Sequence, residues 1–195
     1  MQLLSVENLK MYYLTMRGWV KAVDDVSFTL DKGDSLGFAG ESGCGKTSAA
    51  LCVLKLLPRN GKIFGGTINF EGENILKLSE RKFRREIRWK KISTVFQGAM
   101  NALHPTTRIG DQIVESITAH ENIGKKEALK KAKNLLDLVG VGAERANRYP
   151  HELSGGLKQR TMIAMSLACD PPLVIADEPT TALDVIIEAQ VLSVM

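Results

Sequence analysis

Eight consecutive residues, Gly40, Glu41, Ser42, Gly43, Cys44, Gly45, Lys46 and Thr47, match the spacing G-x-x-x-x-G-K-[ST] without a departure. Those residue types in that order can hold a chain of phosphates. Glycines let the backbone curl so that successive N–H groups converge on one set of phosphate oxygens. A helix starting at the loop, with Ser48 in its first turn, adds the partial positive charge of its N-terminus. Lys46 has the reach for β- and γ-phosphate oxygens, and the Thr47 hydroxyl suits Mg²⁺. The plain alternative is a glycine-rich turn ahead of a core helix. The flanks argue against it: residues 35–39 read as a short buried strand into the loop, and residues 47–57 as an apolar helix out of it.

A second stretch can do related chemistry. The apolar run Leu173, Val174, Ile175, Ala176 ends in Asp177 and Glu178. A carboxylate at the C-terminal end of a central strand faces the ligand crevice of an α/β sheet. Asp177 is then placed to hold Mg²⁺ through Thr47 or water, and Glu178 to orient or deprotonate an attacking water. Alone, an apolar strand ending in two acids says little; joined to a phosphate loop it points to phosphoryl chemistry.

The elements that must position these residues follow from periodicity. Residues 3–13 alternate apolar and polar, as do residues 26–30, and a turn at 31–34 is expected to carry that hairpin toward the loop. Tyr12, Tyr13 and Trp19 cluster ahead of the loop, where an aromatic face can either stack on an adenine ring or serve packing. Pro58 and Gly61 stop the helix after the loop. Residues 67–70 form a strand, and 71–74 a turn. Ser79 caps a helix to about residue 88 with Phe83 and Ile87 inward, and the basic residues from Arg81 to Lys91 make a solvated face. Residues 92–96 read as a strand ending at Gln97. Helices are expected over 109–119 and 125–139. In the second, Ala128, Leu129, Ala132, Leu135, Leu136 and Val139 form one stripe, and Gly140 closes it. Another helix is expected from Ser154 through Cys169, with Gly155 and Gly156 offering first-turn N–H groups to an anion. The whole reads as one α/β domain over 1–195: a mostly parallel sheet around the phosphate loop, an antiparallel β edge, and an inserted helical lobe over about 79–165.

Composition narrows the class. Apolar residues make up 44% and charged residues 25% of the 195 positions, as in a soluble globular protein. A net charge of +4 is too mild to require a nucleic-acid partner. Cys44, Cys52 and Cys169 have no metal spacing and are expected as free thiols in a reducing compartment. No signal peptide is expected from the opening residues, and no uncharged apolar run reaches the roughly 18 residues of a membrane span, so a membrane role is expected to require a partner.

Leu153, Ser154, Gly155, Gly156, Leu157, Lys158, Gln159 and Arg160 resemble the signature motif of ATP-binding-cassette (ABC) ATPases. Phosphate loop, Gln97, this motif, Asp177-Glu178 and residues 181–184 stand in that family's order and approximate spacing. Residues 96–105, 149–153 and 178–185 resemble the ATPase subunits of oligopeptide and dipeptide importers in particular. The resemblance implies a P-loop NTPase core that binds ATP and Mg²⁺ and hydrolyses ATP to power import of peptides or similar small solutes. It implies that Gln97 senses Mg²⁺ and the attacking water, with its loop touching a membrane subunit. Ser154 and the Gly156 backbone would bind the γ-phosphate of ATP held by the opposite ATPase subunit, Asp184 would communicate across that dimer, and Tyr13 would stack on adenine, with Tyr12 second. Partners implied are a second ATPase subunit, integral membrane permeases and, indirectly, a solute-binding protein, at the cytoplasmic face of the membrane. A soluble cassette ATPase of repair or translation, or an importer of oligosaccharide or nickel, shares the core motifs. The absence of an Asn-Lys-x-Asp motif disfavours a GTPase. Two departures stand out: Leu157 where many members have Gln, and His104 where this subgroup usually has Asn.

The apolar pattern begun near Asp184 still runs at Met195, without a closing Gly, Asn or Pro. The resemblance implies a further strand and a switch histidine, and His104, His120 and His151 all precede Asp177. A chain ending at Met195 is therefore expected to bind nucleotide but hydrolyse it poorly.

Overall fold

The computed structural model describes residues 1–96, 98 and 102–179. The chain divides into two compact units, Met1–Arg84 and Arg85–Met195.

Four strands make the first unit's antiparallel sheet, in the order β2-β1-β3-β4. They are β1 (Gln2–Thr15), β2 (Gly18–Asp31), β3 (Gly61–Phe70) and the two-residue β4 (Glu73–Asn74). The β1 sequence alternates only in part, because Asn8 at φ 48° and register shifts either side of Leu9 bend it. Bulges of this kind re-aim side chains while keeping the strand paired. Leu4, Val6, Leu9, Met11, Ile68 and Phe70 are buried in this unit, where a helix follows the phosphate loop. The helix is α1 (Lys46–Leu54), which buries Ala49, Cys52 and Val53, one face at i, i+3, i+4 spacing. It stops at Lys55, left-handed at φ 51°, whose N–H closes back on Cys52 O and Leu51 O before Pro58 is reached. Burial pushes the Cys52 thiol up to about 12, so it packs as a small apolar group.

The expected buried strand at 35–39 does not form. Those residues pair with no strand among the described residues and are exposed, Leu36 at 46% and Phe38 at 49%. An apolar run becomes a strand only where a neighbour takes its backbone groups. Here Phe38 instead sets its ring edge-on to Phe28 at 5.0 Å.

After a single 3-10 turn at Ile75–Lys77, Ser79 Oγ accepts the Lys82 N–H and starts α2 (Glu80–Lys82). The expected α-helix to about residue 88 is one α-turn followed by a π-helical turn, Phe83–Ile87. Phe83 and Ile87 do point inward, while Arg81, Lys82, Arg84 and Arg85 are exposed.

In the second unit, β5 (Ile92–Val95) and β6 (Leu173–Ala176) pair in parallel, Ile92 opposite Leu173 through Val95 opposite Ala176. Leu173 is buried, whereas Ala176 is exposed, so this strand is less enclosed than its apolar sequence suggests. Three helices surround one apolar cluster: α3 (Ile109–His120), α4 (Lys125–Leu138) and α5 (Gly155–Ser166). Ile113, Ile117, Ala128, Ala132, Leu136 and Ile163 are all fully enclosed there. Gly140 takes φ 67° at the end of α4, as its position requires. Helix α5 ends at Ser166, three residues before Cys169, and turns follow.

Candidate nucleotide-binding site

The phosphate loop takes its shape from glycines. Gly43 and Gly45 sit at φ 84° and 98°, and a Cβ on Gly45 would drive into the Ala22 carbonyl of β2. Gly45 is also the N-cap of α1 and supplies no side-chain hydrogen bond to it. No acid stands in the first turn, so nothing there neutralises the positive end of the helix. The Lys46 ammonium folds back over the loop, donating to Gly40 O at 2.7 Å, Glu41 O at 2.9 Å and Cys44 Sγ at 3.4 Å. Thr47 and Cys44 are exposed.

Tyr12 and Tyr13 part company here, because consecutive residues of a strand face opposite ways. The Tyr12 ring stacks on Phe64 at 4.8 Å, and its hydroxyl donates to Asp24 at 2.6 Å. Asp24 raises the Tyr12 pKa through that bond, and Lys21 lies over the same ring. Trp19 joins this group edge-on to Phe64. Tyr13 instead reaches the loop side, its hydroxyl 3.1 Å from Ser48 Oγ. The expected aromatic cluster is thus two groups, and Tyr13 is the one that meets the loop.

In the second unit Asp177 donates its N–H to Val95 O at 2.9 Å, extending the parallel ladder by one residue. Glu178 follows at φ 49°, a left-handed backbone that costs a non-glycine residue about 1–2 kcal/mol. Its side chain is exposed.

The turn before α5 is stiff. Arg148 Nη1 donates to Glu152 Oε1 at 2.7 Å, and Tyr149 N to Glu152 Oε2 at 2.7 Å. These two donors, the backbone N–H first, hold the Glu152 carboxyl below its usual range. Ser154 is the N-cap, its Oγ accepting from Leu157 N at 3.4 Å, and Gly155 and Gly156 form the first turn. Leu157 turns toward the helical core and packs on it. One turn on, Arg160 Nη1 donates to Gly140 O and Val139 O at the end of α4, a cation where a helix dipole favours one.

The ABC transporter family pattern matches residues 23–181. The chain belongs to the ABC transporter family. Over 197 residues this cassette chain is 46% identical to the oligopeptide transport ATP-binding protein OppD of Bacillus subtilis, covering 100% of the chain and 55% of that protein. It is 44% identical to OppD of Escherichia coli, covering 99% and 57%. Against the probable peptide ABC transporter ATP-binding protein y4tR of Sinorhizobium fredii the identity is 47%, covering 97% and 57%. The chain thus spans little more than half the length of these curated relatives. Among solved structures, a dimeric bacterial ABC transporter cassette superposes with a TM-score of 0.86 at 26% identity, covering 98% of this chain and 81% of that one. A post-hydrolysis dimer of an ATP-binding cassette holding ADP and Pi gives the same values. The fold is that of an α/β P-loop ATPase cassette.

Of the cassette's expected site residues, Gln97 and Asp184 lie outside the described residues, as does the helix expected after Asp184. Gly40 through Ser48 and Tyr13 come together in the first unit; Ser154, Gly155, Gly156, Asp177 and Glu178 belong to the second. The residues fit a nucleotide: an uncapped helix start, a glycine loop and a lysine already bridging loop carbonyls. Mg²⁺ fits as well, since Thr47, next to Lys46 in the first turn of α1, is exposed. A magnesium ion shared with phosphates needs only one or two protein ligands. Gln112 was not singled out from the sequence, and Gln159 only as one letter of the signature motif, without a role. Gln112 Oε1 accepts His104 N at 2.9 Å, while its Nε2 donates to His104 O and Thr107 O at 3.1 and 2.8 Å. Gln159, on the signature helix, is only 2% exposed. Polar residues at helical positions read as solvent-facing, and no spacing rule marks either side chain as buried.

Proposed function

We propose that this chain binds ATP with Mg²⁺ and hydrolyses it, as the ATPase subunit of a transporter that imports peptides or similar small solutes. Identity of 44–47% to peptide-transport ATP-binding proteins over nearly the whole chain carries this reading. The loop from Gly40 to Ser48 cradles the nucleotide's phosphates, with Lys46 leaving its loop carbonyls for phosphate oxygens. Tyr13 stacks on the adenine. Thr47, Gln97 and Asp177 hold Mg²⁺, which neutralises phosphate charge when bound. Glu178 takes the proton of the attacking water, and Gln97 positions that water. Ser154, Gly155 and Gly156 contact ATP held by a second ATPase subunit, and Asp184 communicates across the pair. The loop at Gln97, within the helical subdomain over about 79–165, contacts permease subunits at the cytoplasmic side of the membrane. A solute-binding protein acts through those permeases.

Glu178→Gln tests the reading in the full-length protein. Removing the base is expected to slow ATP hydrolysis at least about a hundredfold while ATP binding persists, and to trap an ATP-bound dimer. Near-normal turnover would falsify the assignment of Glu178.

A further inference from the structure

Gln159 lies five residues beyond Ser154 on α5, so it rides on the helix whose N-terminus forms the signature turn. Its side chain is buried, and its Nε2 donates to Pro179 O at 2.7 Å. A carbonyl can only accept, so the orientation of the amide is fixed by this partner. The Oε1 atom, equally buried, has no hydrogen-bond partner among the described residues. The amide holds the residue next to Glu178. Glu178 sits at φ 49° and precedes a proline, which pushes the preceding residue toward extended backbone. Its backbone is therefore held against two local preferences, and the bond from Gln159 to Pro179 is a tertiary contact at that point.

We propose that Gln159 is a positioning residue that couples the signature turn to the catalytic glutamate of the same chain. This rests on the roles proposed above for Ser154–Gly156 and Glu178. The signature turn reads ATP held by the opposite subunit, whereas Glu178 serves ATP in this chain's own loop. A shift of α5 on engaging the opposite nucleotide moves Gln159 with it, and through Pro179 O it sets the backbone of Glu178. Each chain thereby makes hydrolysis at its own site depend on occupancy of the other.

Gln159→Met, near-isosteric but without the amide donor, tests the coupling in the full-length protein assembled with its partner subunits. Gln159→Asn, which keeps an amide, and Glu178→Gln are measured beside it. The expected result for Gln159→Met is an about tenfold lower kcat, as for a slightly misplaced catalytic group. KM for ATP and the melting temperature stay near wild type, and the Hill coefficient for ATP falls toward one; Gln159→Asn recovers part of both losses. Unchanged kcat and cooperativity in Gln159→Met overturns the proposal. So does a loss that comes with weakened ATP binding and a lowered melting temperature, which is what a purely structural glutamine gives. Should Glu178→Gln turn over normally, the underlying reading of Glu178 fails first, and the coupling with it.

Discussion

Two helices in this chain begin at turns proposed above to meet phosphates, and they are prepared in opposite ways. The phosphate-loop helix α1 starts at Gly45, left-handed and without a side-chain cap. The signature helix α5 starts at Ser154, whose hydroxyl already takes the Leu157 N–H. Its body is pinned by Arg160 to the end of α4 and by Gln159 to Pro179. An uncapped start leaves its donors to a ligand and leans on that ligand for order. A capped and pinned start keeps its shape whether or not a ligand is present. The first arrangement suits tight binding of a chain's own nucleotide, the second a surface that docks and releases.

Substitution at Gly45 tests the first half most severely. Gly45→Ala forces a Cβ toward the Ala22 carbonyl and a residue with a side chain into φ 98°. Backbone strain of about 1–3 kcal/mol is expected, with nucleotide binding lost, measured by thermal melting and by fluorescent ATP-analogue titration. Retained binding at wild-type affinity would show that the loop does not depend on this close approach. A smaller effect is expected at the other helix. Ser154→Ala removes a cap worth about 1 kcal/mol, lowering the melting temperature slightly and leaving nucleotide binding by the chain's own loop unchanged. A drop in that affinity would mean the two starts are not independent.

Chemical labelling sharpens the contrast further. Cys44 is exposed and lies 3.4 Å from the Lys46 ammonium, whereas Cys52 is fully buried. Maleimide is expected to label Cys44, block ATP binding, and be excluded by MgATP; equal labelling with and without nucleotide removes Cys44 from the site. The smallest effect concerns acid. The carboxyl of Glu152 titrates below its ordinary range in the folded chain. Its contribution to stability is therefore present above the unfolded carboxylate pKa, about 4.3, and is lost as pH falls through the folded value. Denaturant midpoints from pH 6 down to pH 3 should fall less steeply for Glu152→Gln than for wild type. Parallel slopes would mean that the turn before α5 is held without this carboxylate.

The sequence made the local patterns legible where one element satisfies itself. The α4 stripe, the Ser79 cap and the glycine at 140 all stand where spacing puts them, because helix periodicity and cap chemistry need no distant partner. The glycines of the loop were legible for the same reason: the left-handed backbone at Gly43 and Gly45 calls for residues without a side chain. What could not be read depends on neighbours. Leu36 and Phe38 have strand composition, but ladder formation is decided by the adjacent backbone. Phe83 and Ile87 keep their inward spacing while the backbone between them widens to a π-turn. Tyr12 and Tyr13 are chemically alike, and only the placement of Phe64 and Ser48 separates their surroundings.

The clamp made by Gln112 bears on how this chain can change over generations. Its amide grips the main chain at His104 and Thr107, not any side chain of that turn. The imidazole of His104, exposed and within 3.2 Å of the Thr106 and Thr107 hydroxyls, adds only local contacts. Shape and surface chemistry of this turn are thus encoded at different positions. A mutation at 104 rewrites what the turn presents to its surroundings while Gln112 keeps its form, so new surface chemistry can be sampled there without passing through misfolded intermediates.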